Sequence, residues 1–245
     1  MTADDHTGFD PAATLDRINA ATEHLMETAA RFTDADVRAP SLLPAWSRGH
    51  VLTHLARNAD GGRNLLIWAR TGEETPEYPS LAARDEQIEA GAGRSTAELV
   101  ADLRGASARF AAEYRRMPPE AWNRTVRWTR GQERAALRAA DSRLCEVLIH
   151  HVDLNTDYTP AQWPDCFVRD MLGRVAASFG ARDDAPAMRL HTTDTGITHD
   201  IGAPGQAPVV HGPQTSLLAW LLGRSQGADL VVHGASELPA PPFLY

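Results

Sequence analysis

Apolar residues recur at helical spacing in four long segments of the first two thirds of the chain. Each segment carries its apolar positions three and four residues apart, the pattern of a helix with one buried face. Ser47 provides a good N-cap for the second segment, and Ser95 with Glu98 gives the third a capping-box sequence. Four amphipathic helices of comparable length predict a bundle. The segments cover residues 11–32, 48–69, 95–117 and 139–154.

The pattern changes after residue 158, where short alternating segments mix with helical ones. Alternation on both sides of a turn at residues 194–196 predicts a β-hairpin, and two further apolar segments end in histidine and predict strands. We therefore predict an α+β protein overall, with a four-helix bundle over residues 1–158 and a small α+β domain over residues 159–245. The predicted elements of the second domain are a helix at 165–178, the hairpin at 188–201, strands at 208–211 and 229–233, and a helix at 214–222.

The charge balance excludes some classes of partner. The 245 residues include 24 Lys and Arg against 32 Asp and Glu, a net charge of -8, and no basic run interrupts this acidic background. We therefore expect neither nucleic acid nor a membrane surface as partner, and a small-molecule substrate fits better. No apolar run is long enough to cross a bilayer. The two cysteines, Cys145 and Cys166, are too far apart for a Cys-x-x-Cys site, so we expect reduced thiols and a cytoplasmic location.

The fourth helical segment contains a carboxylate and an imidazole one turn apart. Glu146 and His150 project from nearly the same helix face, among apolar neighbours such as Leu144 and Val147. Polar groups directed toward a packed interior require compensation. A hydrogen-bonded pair of core residues is the simpler interpretation, and a divalent metal ion is the alternative.

The second helical segment supplies two further histidines, His50 and His54, again four residues apart. Bundles build metal sites from inward residues on facing helices, so the best ligand set is His54, Glu146 and His150. His54 is preferred because it lies one turn deeper in its helix, although the sequence leaves His50 open. Nitrogen and oxygen ligands without thiolate favour Zn²⁺, while Fe, Mn, Co and Ni remain chemically acceptable.

Three ligands leave a coordination position open, as catalytic metals require. Such a site acidifies either a bound water for hydrolysis or a bound thiol for nucleophilic attack. The sequence shows no general base of the kind found in His-Glu-x-x-His hydrolases, which favours thiol chemistry. Among the neighbours of the site, His151 and Asp153 are candidates for orienting the ligands, although Asp153 could simply be exposed, and Cys145 is interpreted as a small buried hydrophobe.

Three further motifs, together with the ligand set, give the chain a specific resemblance. It resembles the mycothiol-dependent maleylpyruvate isomerase family over nearly its whole length, and the loop at residues 71–76 is more specific than the metal ligands. The resemblance implies a DinB-like metal-binding bundle followed by an α+β domain. It also implies Zn²⁺ and mycothiol as cofactors. The motifs are WSRGH at 46–50, WARTGEETP at 68–76 and ARDEQI at 83–88.

The same resemblance implies an activity and its residues. The family converts maleylpyruvate to fumarylpyruvate in aromatic catabolism, by reversible addition of a thiolate to the double bond. Carried over to this chain, it makes His54, Glu146 and His150 the zinc ligands and Arg224 a catalytic residue that would bind a substrate carboxylate. The expected partners are then a small-molecule thiol and an electrophilic dicarboxylate.

Two other functions remain open at this point. A mycothiol S-transferase would share the metal and the thiol but conjugate another electrophile. A non-catalytic binding protein would use the metal to stabilise the bundle. Hydrolysis by metal-bound water is a minor further alternative.

Overall fold

The computed structural model describes residues 9–203, 205 and 207–242. The chain divides into two compact units, of which the first ends at Asn155 and the second begins at Thr156. The described residues of the first unit form helices and one short hairpin, and those of the second combine helices with a mixed sheet. The α+β fold class is therefore confirmed.

The first unit is a bundle built around its longest helix, α3. In chain order its elements are α1 (Pro11–Ala29), α2 (Asp34–Arg38), α3 (Arg48–Thr71), α4 (Leu81–Ala92), α5 (Thr96–Arg115), strands β1 (Thr125–Arg127) and β2 (Glu133–Ala135), and α6 (Arg138–Asp153). Helix α3 contacts α4, α5 and α6, while α1 contacts α5 and α6. The packed interior includes Leu52, Leu55, Leu103 and Phe110, all essentially inaccessible to solvent.

The local signals at the helix ends are confirmed. The Ser47 side chain accepts a hydrogen bond from the backbone of His50, and α3 ends at Gly72, whose φ of 82° is the left-handed conformation that glycine tolerates. Ser95 and Glu98 form the capping box of α5. The strands β1 and β2 pair antiparallel and form a short hairpin.

The polar cluster at residues 33–36, whose sequence predicts a turn, begins a short helix instead. Residues 33–36 lack an apolar repeat, which favours a turn over a helix. In the structure Thr33 and Asp36 cap each other reciprocally and begin α2, which buries only Val37. The capping interaction, rather than an apolar face, determines this helix.

The second unit packs two helices against a four-stranded sheet. Its strand order is β4-β3-β5-β6, with β3 and β5 parallel and the two outer pairs antiparallel. Met188, Leu190 and Thr192 alternate as buried residues along β3 and so define its inner face. The elements are α7 (Asp165–Gly180), β3 (Met188–Thr192), β4 (Thr198–Ile201), β5 (Val209–Gly212), α8 (Gln214–Leu221) and β6 (Val231–His233).

None of the helices in the described part of the chain is both long and apolar enough to span a bilayer.

The first turn of α3 lies close to the last turn of α4. Gly49 is buried there, and a Cβ atom at this position would collide with the backbone carbonyl of Ala92 and press on that of Val37. A glycine is therefore required where these segments meet, since backbone cannot move aside as a flexible side chain can.

We expect Gly49→Ala to lower the free energy of unfolding by about 1–3 kcal/mol, the usual cost of overpacking a close contact. Urea denaturation followed by circular dichroism measures it. Gly93→Ala is the matched control, because Gly93 is exposed at the end of α4 with no atom near its missing side chain. Equal stability of the two variants would contradict the close approach.

Candidate metal centre

Three potential metal ligands converge where α3 packs against α6. Glu146 and His150 lie one turn apart on α6, and His54 lies on the facing side of α3. His54 Nε2 is 2.8 Å from Glu146 Oε2 and 3.1 Å from His150 Nε2, and His150 Nε2 is 3.2 Å from Glu146 Oε2. The three donor atoms therefore surround one point, and the group could hold a metal ion.

A buried arginine fixes how the two helices face each other. Arg143, one turn before Glu146 on α6, is only 1% exposed. Its guanidinium donates to the Leu55 carbonyl at 2.8 Å and to Asn58 Oδ1 at 3.0 Å, both on α3, and to Ser107 Oγ on α5 at 3.1 Å. These bonds satisfy much of the buried charge and set the position of α6 along α3.

The cluster is buried at its base and accessible through its carboxylate. The side chains of His54 and His150 are 5% and 11% exposed, whereas that of Glu146 is 20% exposed. The Trp46 ring covers His54 with a centroid separation of 5.5 Å. A small molecule would therefore reach the site from the Glu146 side.

Asp153 orients His150 from behind. Its Oδ2 lies 2.8 Å from His150 Nδ1, and the aspartate is completely buried. This bond favours a proton on Nδ1 and directs the Nε2 lone pair into the cluster, the usual arrangement around metal-bound histidines. Asp153 therefore fits the predicted role of orienting a ligand, and the alternative that Asp153 is exposed is wrong.

The expectation that His151 supports the site is wrong. Because His151 is the residue next to His150, its side chain points about 100° around the helix from that of His150. Its Nε2 lies 2.8 Å from Thr28 Oγ1, and its ring packs edge-on against His24 of α1. It therefore holds α1 against α6.

The structure places His54 in the cluster and His50 outside it. His50 Nδ1 accepts a hydrogen bond from the Ser47 backbone at 3.1 Å, and its Nε2 lies 3.1 Å from Glu89 Oε2. The role of His50 is thus to cap α3 and contact α4.

Two residues beside the cluster were missed by the sequence analysis. Arg84 Nη2 lies 3.1 Å from His54 Nδ1, and the Arg84 guanidinium lies 6.0 Å from the centre of the Tyr78 ring. Tyr78 is buried, and burial raises the pKa of its hydroxyl. Arg84 belongs to the ARDEQI motif, which supported the family resemblance without indicating any role for the arginine.

Burial and mutual contact shift the pKa of all three clustered groups. Burial lowers the pKa of His54 to about 4, against the opposing effect of Glu146. Burial alone would lower the pKa of His150 as well, but its bonds to Asp153 and Glu146 raise it to about 9. Burial alone would raise the pKa of Glu146, yet the hydrogen bonds with the two histidines bring it well below its usual value. Glu146 is therefore ionised at neutral pH.

The donor chemistry fits a divalent cation. Two imidazole nitrogens and one carboxylate oxygen lie 2.8–3.2 Å from one another. Three lone pairs at such separations repel unless a proton or a cation lies between them, and one divalent ion can accept all three. Two imidazoles and a carboxylate form the kind of set that binds zinc while leaving a position for substrate.

Arg224, the predicted catalytic residue, lies in the second unit just after α8. Its backbone N–H donates to the Ala219 carbonyl at 2.8 Å, and its Nη1 donates to the Leu222 carbonyl at 2.6 Å. Its side chain is half-buried. A contribution of Arg224 to the site stays a prediction. Cys145 and Cys166 are not joined in a disulfide, and Cys145 is buried as expected.

Comparison with known proteins gives consistent findings. The family model for the mycothiol maleylpyruvate isomerase N-terminal domain matches residues 18–155. A crystal structure of the mycothiol-dependent maleylpyruvate isomerase is 26% identical, covers 96% of this chain and 98% of its own, and has a TM-score of 0.91. A histidine-to-alanine mutant of that isomerase is 25% identical, with the same coverage and a TM-score of 0.90. Among curated proteins there is no match.

We expect the protein to bind one equivalent of Zn²⁺ and to be stabilised by it, by about 2.7 kcal/mol when free zinc is 100 times Kd. His54→Ala should abolish both effects. His50→Ala, one turn earlier on the same helix, should retain them, although it removes a helix cap. Equilibrium dialysis with metal analysis, together with thermal unfolding, provides the measurement. Zinc uptake by His54→Ala equal to that of the parent would contradict the site.

We expect the free energy of unfolding of the metal-free protein to fall both toward alkaline pH and toward acidic pH. Because the pKa of His150 is raised from 6.5 to about 9, its contribution is complete below pH 6.5 and is lost as pH rises through 9. Because the pKa of His54 is lowered to about 4, stability also falls as pH drops from 6.5 toward 4.

Urea midpoints from pH 5 to 10 in the presence of EDTA test this pH dependence. Asp153→Asn removes the strongest interaction that raises the pKa of His150, so the alkaline decline should be smaller and should end at lower pH. An alkaline decline that is unchanged in Asp153→Asn would contradict the assignment.

Proposed function

This chain belongs to the mycothiol maleylpyruvate isomerase N-terminal domain family, and on that basis we propose that it isomerises maleylpyruvate to fumarylpyruvate with Zn²⁺ and mycothiol. The observation that carries the proposal is the convergence of His54, Glu146 and His150 on one point. The likeness to the crystal structure of a mycothiol-dependent maleylpyruvate isomerase, over 96% of this chain, supports it.

The proposed isomerisation needs no reagent besides the thiol and the substrate, because the C–S bond that forms is later broken again. The thiolate adds to the double bond and forms a C–S bond, while the π electrons move into the adjacent carbonyl as an enolate. The former double bond is now single and rotates. The enolate electrons then restore the double bond in the trans form and expel the thiolate. No net oxidation or proton transfer occurs, so the thiol is regenerated.

The residues of the first unit suit such a reaction. A divalent ion held by His54, Glu146 and His150 would supply positive charge that keeps the bound thiol ionised at neutral pH. Asp153 holds the His150 ring in its ligating orientation. Trp46 covers one side of His54 and excludes water from that side. The exposed edge of Glu146 leaves an approach for the thiol and its electrophile.

Arg224 is proposed to bind a carboxylate of the substrate. An arginine suits this role because its planar guanidinium can donate two parallel hydrogen bonds to one carboxylate. The proposal rests on the family resemblance of the segment 222–225, and the charge and partial exposure of Arg224 are compatible with it.

The direct test mixes the zinc-loaded protein with mycothiol and maleylpyruvate and follows fumarylpyruvate by absorbance. We expect turnover that requires both zinc and the thiol. Arg224→Ala should retain zinc and lose about 100-fold in kcat/KM, equivalent to about 3 kcal/mol for a lost charged hydrogen bond. Arg169→Ala, an exposed arginine paired with Asp170 in the same unit, is the matched control.

Absence of turnover by the zinc-loaded protein would refute the proposed function. Accumulation of a stable mycothiol conjugate would instead identify an S-transferase, because an isomerase returns its thiol unmodified.

A further inference from the structure

Arg84 is a cationic residue in direct contact with the cluster of His54, Glu146 and His150. It lies on α4, and its Nη2 is 3.1 Å from Nδ1 of His54. Arg84 also forms an ion pair with the adjacent Asp85, at 2.6 Å. The Asp85 side chain is 67% exposed, so this pair contributes little to holding the arginine in place.

His54 cannot accept a hydrogen bond from Arg84 and ligate a metal at the same time. A guanidinium has only donors, so Nδ1 of His54 must accept the hydrogen bond. A neutral imidazole that gives the Nε2 lone pair to a cation carries its proton on Nδ1, which then needs an acceptor. The Asp153 carboxylate meets this requirement for His150, and Arg84 cannot meet it for His54. When a cation occupies the cluster, the Arg84 guanidinium must therefore turn away from His54.

The charges of the site indicate what the released guanidinium would bind. A divalent cation would balance the carboxylates of Glu146 and Asp153, so Arg84 adds positive charge beside an already neutralised centre. Its side chain is 23% exposed, and it reaches His54, whose Nε2 lies 2.8 Å from the Glu146 carboxylate. An anionic group entering from the Glu146 side is the complementary partner.

We propose that Arg84 binds a carboxylate of the small dianion that enters the metal centre, and that it is released for this role when His54 ligates the metal. The identity of the dianion rests on the proposed function. Arg84 is thus a substrate-positioning residue within the first unit, additional to Arg224.

The experiment uses Co²⁺-loaded full-length protein and maleate, a cis dicarboxylate without the keto group, in the absence of thiol. Maleate binding is measured by calorimetry and by the visible Co²⁺ spectrum. We expect Arg84→Gln to raise the Kd for maleate at least about tenfold, as loss of a charged hydrogen bond predicts. Arg104→Gln, an exposed arginine of α5, is the control for the change in net charge and should bind like the parent.

The second readout is metal affinity, measured by competition with a chelator. The glutamine amide oxygen can accept a hydrogen bond from Nδ1 of His54, so Arg84→Gln should bind metal more tightly, by about tenfold. A merely structural arginine would weaken metal binding when replaced. Weaker metal binding by Arg84→Gln, unchanged maleate affinity, or no maleate binding by the parent would each overturn the inference.

These outcomes separate the inference from the proposed function. If the parent protein binds maleate but does not isomerise maleylpyruvate, and the Arg84→Gln variant binds maleate weakly, the proposed function is refuted and the role of Arg84 stands. If the parent protein isomerises maleylpyruvate and Arg84→Gln binds maleate normally, the function stands and the role of Arg84 is refuted.

Discussion

The arrangement of the first unit depends on an ionised carboxylate held between two imidazoles in the packed interior of a helical bundle. Removing a carboxylate from water is costly unless a counter-charge and hydrogen bonds compensate it. His150, whose pKa is raised to about 9, supplies the positive charge, and His54 of α3 supplies a close contact at 2.8 Å. The helix repeat of α6 aligns Glu146 with His150. Tertiary packing brings His54 to this pair, and Arg143 fixes the packing through bonds to α3 and α5.

Around that centre, each neighbour of the histidines has a distinct physical role. The Asp153 carboxylate accepts a hydrogen bond from Nδ1 of His150, which leaves Nε2 of His150 ready to ligate a metal. Arg84 instead donates to Nδ1 of His54, and this hydrogen bond must break before His54 can ligate a metal. The two histidines therefore differ in their readiness to bind a cation, although their donor atoms are only 3.1 Å apart. On the proposed role of Arg84, this asymmetry couples metal binding to the position of the Arg84 side chain, and thereby to the binding of an anion.

The sequence predicted the features that local chemistry determines. The caps at Ser47 and Ser95 and the one-turn spacing of Glu146 and His150 depend on residues close in the chain. It could not predict features that arise from packing between distant segments. The choice between His50 and His54 depends on which turn of α3 faces α6, and the contact of Arg84 with His54 joins residues 30 positions apart. The helix α2 was missed because reciprocal capping, without an apolar repeat, stabilises it.

The proposed chemistry requires that His54, Glu146 and His150 form an open metal site that accepts a thiol. X-ray absorption spectroscopy of the zinc-loaded protein, before and after addition of mycothiol, measures this directly. We expect an initial shell of nitrogen and oxygen ligands only, and the appearance of one sulfur at about 2.3 Å when the thiol is added. A shell that contains sulfur from the outset, or one that gains none with mycothiol, would refute an open thiol-binding site.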